Sequence, residues 1–288
     1  MIGILSKHVD DVFLNNFGLP YIIIDDDIHD IDGLFIDWVA KTSVNEGAWM
    51  NQASLLQKYI KKIPIVIFDR YLSLTKKEVD WVKKFNVTLF EPALNSGRYG
   101  FEYLPEWFNS CEIVLGEEDE EDRVYDVVYS YHNIEYQLKE FEFWFKDFSR
   151  LFPDKSVSYS TFSITDFKKE EYNKDGLIFQ SDHHPIFNEG NFTVAIDQEK
   201  SYKIGYLSPI FFYAMNLGCL PLLPIKHKYF HGMFKGLIVS DLKEMEYYVS
   251  LYGKVKDVII NEIFERIKTE WNEFTVEHAT SAIRNCYE

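Results

Sequence analysis

A chain of 288 residues with 17% aromatic content is long enough for two domains and a substantial core. Its net charge of −16 weighs against a broad basic groove for nucleic acid and leaves room for a local basic patch. Three scattered cysteines (Cys111, Cys219, Cys286) exclude a disulfide framework and a cysteine zinc site. No apolar run spans a membrane, and the opening MIGILSKHVDDVF is too interrupted by charge for a signal peptide, so a cytoplasmic protein is expected.

The first third alternates strands and helices. MIGILS, YIIID, GLFID, PIVIFD and VTLFE are short Ile-, Val- and Phe-rich runs that end in acidic or turn residues. That pattern predicts parallel strands buried on both faces. Between them, SLLQKYIKK predicts a helix ended before Pro64. LTKKEVDWVKKF predicts another, with Thr75 and Glu78 at the spacing of a capping box and Val79, Val82 and Phe85 facing inward.

GEEDEEDR places six acidic residues in a row, which repel one another in any compact element. It marks a domain boundary, dividing the chain into 1–115, an acidic linker 116–123, and 124–288. The alternation then restarts. VYDVVYSY, KSVSYS, FTVAID, CLPLL and GLIVSD predict strands. IEYQLKEFEFWFKDFSRLF predicts one long amphipathic helix with Ile134, Leu138, Phe141, Trp144, Phe148 and Leu151 inward. A helix from Leu242, KDVIINEIFERIKTEWNEF and VEHATSAIRNCY complete the chain. The expected architecture is α/β, with two Rossmann-like domains facing across a cleft and helices at the C-terminal end.

Ligands of such domains gather at the carboxyl ends of the strands. Asp69 ends PIVIFD, Glu91 ends VTLFE, and Asp26, between Asp25 and Asp27, follows YIIID; each is a candidate general base, or simply a cap for the next helix. His132 and Asn133 follow VYDVVYSY where phosphate-binding loops lie, without the glycines such loops use. His183 and His184 are adjacent, point to opposite faces in an extended segment, and lack a spaced partner, so no metal site is expected. Walker, GxSxG and GxGxxG patterns are absent, against P-loop ATPases, α/β-hydrolases and ordinary dinucleotide enzymes.

SPIFFYAMNLGCLPLLP, from Ser208 to Pro224, is the most specific stretch. Ser208 suits an N-cap, Pro209 the first helical position, and Gly218 a left-handed stop. Free N–H groups from Ser208 to Phe211 would then form an anion site. Pro221 requires the following strand to be near an edge, or to start there.

The order helix, Gly, x, x, Pro, apolar strand resembles the donor-site signature "EAL-x-x-G-x-x-P-V-V" of GT-B glycosyltransferases, with Ala214, Gly218 and Pro221 in register. The family's frequent Glu, which contacts the donor ribose, falls at Tyr213. The resemblance implies a nucleotide-sugar co-substrate, a UDP-sugar first, with no permanently bound cofactor and no obligatory metal. Ser208, Pro209, Tyr206, Tyr213, Lys203, Lys155, Arg98, His132 and Asn133 are the residues expected around the donor. Small cytoplasmic members encoded by phages glycosylate hydroxymethylated pyrimidines, which makes DNA the leading acceptor partner, ahead of a surface glycan or protein hydroxyl. KKIPIV and TKKEVDWVKK supply a modest basic surface on the domain expected to take the acceptor. A nucleotide-binding or scaffold protein, inactive after loss of the Glu, would share the same pattern.

Overall fold

The computed structural model describes residues 1–5, 11–24, 30–38, 46–70, 72–108, 111–113, 123–131, 138–161 and 185–288. The acidic run at 116–122 and the candidates Asp25, Asp26, Asp27, His132, Asn133, His183 and His184 lie outside the described residues. The rest divides into two compact units, 1–108 with 273–288, and 111–161 with 185–272.

In the first unit the elements run β1 (Ile2–Leu5), α1 (Asp11–Phe17), β2 (Tyr21–Ile23), β3 (Gly33–Asp37), α2 (Glu46–Tyr59), β4 (Ile65–Phe68), α3 (Lys76–Val82), β5 (Val87–Glu91) and β6 (Glu102–Tyr103). Every pairing is parallel, in the order β2-β1-β3-β4-β5-β6. This is the doubly wound order 2-1-3-4-5, extended by one strand. The period-2 alternation of strand side chains builds two cores. Leu34, Ile36, Ile65 and Ile67 pack with Leu55, Leu56, Val79 and Val82 of α2 and α3. Phe35, Val66 and Phe68 pack with Phe13 and Phe17 of α1. The capping box that starts α3 is present, with the Thr75 N–H donating to Glu78 at 2.7 Å and the Glu78 N–H to Thr75 Oγ1 at 3.3 Å.

The second unit runs β7 (Tyr125–Tyr131), α4 (Leu138–Phe141), a π-helical turn (Glu142–Asp147), α5 (Phe148–Leu151), β8 (Val157–Thr161), α6 (Pro185–Glu189), β9 (Gly190–Val194), α7 (Glu199–Ile204), α8 (Pro209–Asn216), β10 (Leu220–Pro224), β11 (Ile238–Val239), α9 (Leu242–Tyr252) and α10 (Lys256–Thr269). Its sheet is again wholly parallel, ordered β11-β10-β9-β7-β8. Read from β8, that order is also 2-1-3-4-5, so the two units repeat one topology. Pro221 pairs in register with Thr193 of β9, while β11 meets β10 only at Leu223 and Pro224. The proline therefore lies where β10 has one strand neighbour rather than two, which is where a missing N–H is tolerated.

Three sequence expectations change. The single helix at 134–152 is interrupted by the π-turn, which brings Phe141, Trp144, Phe145 and Phe148 all inward and leaves Leu138 and Leu151 exposed. Tyr129 of β7 lies against both Phe141 and Phe145, at 5.5 and 4.4 Å between ring centroids. Arg123, expected in the solvated linker, donates to the carbonyls of Phe187, Gly190 and Leu217 at 2.5–2.6 Å and ties α6, β9 and α8 together. The final helix α11 (Val276–Asn285), expected with the second domain, belongs to the first unit. There Val276, Ala279 and Ile283 complete the core over β1, β3 and β4 that the short α1 leaves half covered. No helix among the described residues is long and apolar enough to cross a membrane.

Candidate functional site

The carboxyl edge of the first sheet carries charge at three successive strands. Asp37 ends β3, Asp69 and Arg70 follow β4, and Glu91 ends β5, all of them buried. The structure brings Asp69, Glu91 and Arg98 together. Arg98 donates to Asp69 Oδ2 at 2.6 Å, to Glu91 Oε2 at 2.9 Å and to the Leu74 carbonyl at 2.9 Å. Lying between two carboxylates, it offers no surplus positive charge to a leaving diphosphate, contrary to the role expected of it. Asp69 also accepts from the Ser73 N–H and hydroxyl at 2.8 and 3.0 Å and from the Leu74 N–H at 2.9 Å. With both oxygens used, Asp69 ties the loop before α3. Glu91 accepts from the Ser96 hydroxyl as well as from Arg98, and burial raises its pKa despite those bonds.

A second buried cluster escaped the sequence reading. Arg70 grips Asp37 through Nε at 3.3 Å and through Nη2 at 3.1 Å, and its Nη1 donates to Glu106. Its guanidinium lies 5.0 Å from the ring centroids of both Phe68 and Trp107. Asp37 ends GLFID just as Asp69 ends PIVIFD, so the strand-end rule would have found it; Glu106 carries no local signal. Glu106 Oε1 has no hydrogen-bond partner among the described residues, and burial pushes this carboxyl from 4.5 to about 7 despite Arg70. A carboxyl with a raised folded pKa holds its proton more tightly folded than unfolded. Its contribution is therefore complete below about pH 4.5 and declines as pH rises toward 7, by up to about 3 kcal/mol. Glu106→Gln is expected to flatten that decline in melting curves taken from pH 4.5 to 7; an unchanged slope contradicts the assignment.

In the second unit, α8 is formed as its residues predict. Ser208 is the N-cap, Pro209 opens the helix, and Gly218 turns the chain at φ 69°. Ile210, Phe211, Phe212, Ala214 and Met215 are buried, leaving Pro209, Tyr213 and Asn216 as a partly exposed stripe. The N–H groups at its start are not free, however. Ser208 N–H donates to the Asp197 carboxyl, Ile210 N–H to Ser208 Oγ at 3.4 Å, and Phe211 N–H to the Ser208 carbonyl at 3.0 Å. The protein's own buried carboxyl thus stands where a ligand anion was expected. Arg123 at the Leu217 carbonyl completes the other end, so a polar partner opposes the helix dipole at each terminus.

Asp197 follows β9 and is buried, which raises its pKa well above the usual carboxyl range. Its N–H donates to the Tyr202 hydroxyl at 2.8 Å, and its Oδ2 lies 3.9 Å from His227 Nε2. His227 bonds the Ala195 carbonyl at 3.0 Å, and burial lowers its pKa to about 4, so the imidazole is neutral.

The remaining donor candidates are dispersed. Tyr206 is buried beside Ser208 in the chain. Lys203 is exposed and pairs with Glu199 at 3.3 Å. Lys155 precedes β8 and reaches Ser250 of α9 at 2.8 Å, so it stands at the amino end of the sheet, opposite to the Ser208 edge. Among the described residues, no group of three His, Cys, Asp or Glu could hold a metal ion.

One cavity of about 190 Å³ lies in the first unit between α2 and α3, lined by Trp38, Trp49, Leu56, Leu74 and Trp81, with Glu78 at its edge.

Two parallel α/β units of one topology, each with buried acids at its carboxyl edge, define the class of fold. No family model and no curated protein matches the chain. Among solved structures, one described as "alpha-glucosyltransferase in complex with UDP and a 13-mer DNA containing a central A:G mismatch" is similar at 10% identity and a TM-score of 0.45, covering 100% of this chain and 95% of that one.

Proposed function

We propose that this chain is a glycosyltransferase that moves a sugar from a nucleotide-sugar donor, a UDP-sugar first, to a hydroxyl acceptor, with a 5-hydroxymethylpyrimidine of DNA as the leading acceptor. The observation that carries it is the α8–Gly218–β10 unit. Ala214 is fully buried, Gly218 has the left-handed backbone, and Pro221 lies in a strand beside β9. These are the three positions in register with the GT-B donor signature. The helix would meet the nucleotide along Pro209, Tyr213 and Asn216, with the Tyr213 hydroxyl taking the ribose contact of the family's Glu. Since Asp197 occupies the helix start, the diphosphate draws its donors from elsewhere in the second unit.

Glu91 is the better candidate base of the first unit. Its raised pKa brings a carboxylate nearer the operating pH, and its partners are the Ser96 hydroxyl and Arg98, whereas Asp69 also accepts from two backbone N–H groups of its loop. Glu91→Gln is expected to abolish sugar transfer while nucleotide binding persists, and Asp69→Asn to lower thermal stability. Full transfer by Glu91→Gln removes it as the base.

The donor assignment is tested by melting the protein with nucleoside diphosphates and nucleotide sugars. A bound nucleotide at a hundredfold excess over its Kd stabilises by about 2.7 kcal/mol. A melting temperature unmoved by every nucleotide contradicts the proposal; a shift without sugar transfer to any acceptor favours a nucleotide-binding protein that has lost catalysis.

A further inference from the structure

Half of the chain's six tryptophans, Trp38, Trp49 and Trp81, line the cavity of the first unit. The cavity runs along the α2–α3 face of the sheet, from Trp38 after β3 and Leu74 after β4 to Trp81 in the last turn of α3. Its 190 Å³ is below the roughly 300 Å³ at which drug-sized pockets begin, which suits a single ring. Trp81 stays 36% exposed, with its ring edge-on to Phe85 at 5.7 Å between centroids. An indole left at a pocket mouth is a stacking face.

The surroundings select the ring. In a protein of net charge −16, the stretch 57–84 holds eight Lys or Arg against three acids. Lys77 stands one helical turn before Trp81, and Lys84 follows it by three residues. Lys61, Lys77 and Lys84 are exposed and form no ion pair among the described residues. Aromatic faces interleaved with lysines are the chemistry of nucleic-acid strands, whose bases stack while their phosphates meet the cations. A neutral sugar would use the rings and leave the lysines without a role.

We propose that this tryptophan pocket receives one pyrimidine base of a DNA strand, with the lysines of α3 and of the α2–β4 turn on the flanking phosphates. The assignment rests on the acceptor part of the proposed function and locates it.

The test is binding of a fluorescent single-stranded oligonucleotide, with and without 5-hydroxymethylpyrimidine, followed by anisotropy. Trp81→Ala is expected to weaken binding roughly tenfold, the size of one lost base stack, and Trp81→Phe to restore most of it. Lys77→Glu with Lys84→Glu is expected to weaken binding and to flatten its dependence on salt. Melting curves of each variant show that the fold is kept. Oligonucleotide affinity unchanged by Trp81→Ala overturns the pocket, as does the absence of any oligonucleotide binding. A nucleotide-sugar shift on the unsubstituted chain together with either result leaves the donor site standing and removes only the pocket. Oligonucleotide binding that depends on Trp81 without any nucleotide shift has the opposite meaning.

Discussion

Arg70→Met is expected to destabilise the first unit by about 3–5 kcal/mol, the cost of leaving buried carboxylates without their cation. Asp37 and Glu106 are both buried and both bond that guanidinium, which lies buried against the rings of Phe68 and Trp107. For a unit of this size the melting temperature should fall on the order of 10 °C. Part of the loss is relieved by protonation of Glu106, so the deficit is expected to be smaller at pH 5 than at pH 8. Replacing all three groups at once, Asp37→Asn, Arg70→Met and Glu106→Gln, should recover much of the stability, because this cluster then buries no charge. If Arg70→Met melts like the unsubstituted protein, the cluster does not hold the sheet edge together.

Ending the chain at Thr275 is expected to have a larger effect still. It removes Val276, Ala279 and Ile283 from the core over Ile2, Ile4, Phe35 and Val66, against which α1 supplies only Phe13, Phe17 and their neighbours. A single Ile283→Ala should already cost about 2–5 kcal/mol. Gly33 adds a second dependence, since a Cβ there would fall 2.6 Å from the Tyr287 ring, so this tail seats directly on β3. Hydrogen exchange should show β1, β3 and β4 unprotected in the shortened chain while β7, β9 and β10 keep their protection. Retained protection of β3 and β4 would contradict the assignment of α11 to the first unit.

What the sequence disclosed and what it withheld follow from distance along the chain. The strands, the Thr75–Glu78 box, the Ser208–Pro209 start and the Gly218 stop are local, each decided by residues within a turn of one another. The long-range partners were not legible. Arg70 reaches Asp37 and Glu106 across 33 and 36 positions, and Arg123 reaches Leu217 across 94. The same limit explains α11, whose apolar face announces a helix without naming the sheet it covers. The candidate site was legible in its residue types more than in its contacts. Asp69, Glu91 and Arg98 do converge, but as an ion cluster inside one unit rather than as a base and a separate phosphate clamp. The helix start at Ser208 was found by its capping chemistry, whereas nothing near it signals that Asp197 would accept its N–H.

The most direct test is sugar transfer itself. The protein is incubated with nucleotide sugars and with DNA containing 5-hydroxymethylpyrimidines, and the digested nucleosides are weighed by mass spectrometry. Hydroxymethylpyrimidine nucleosides are expected to gain the mass of one sugar with at least one donor, and Glu91→Gln to prevent the gain. No gain on any nucleoside, with every donor left intact, would contradict it.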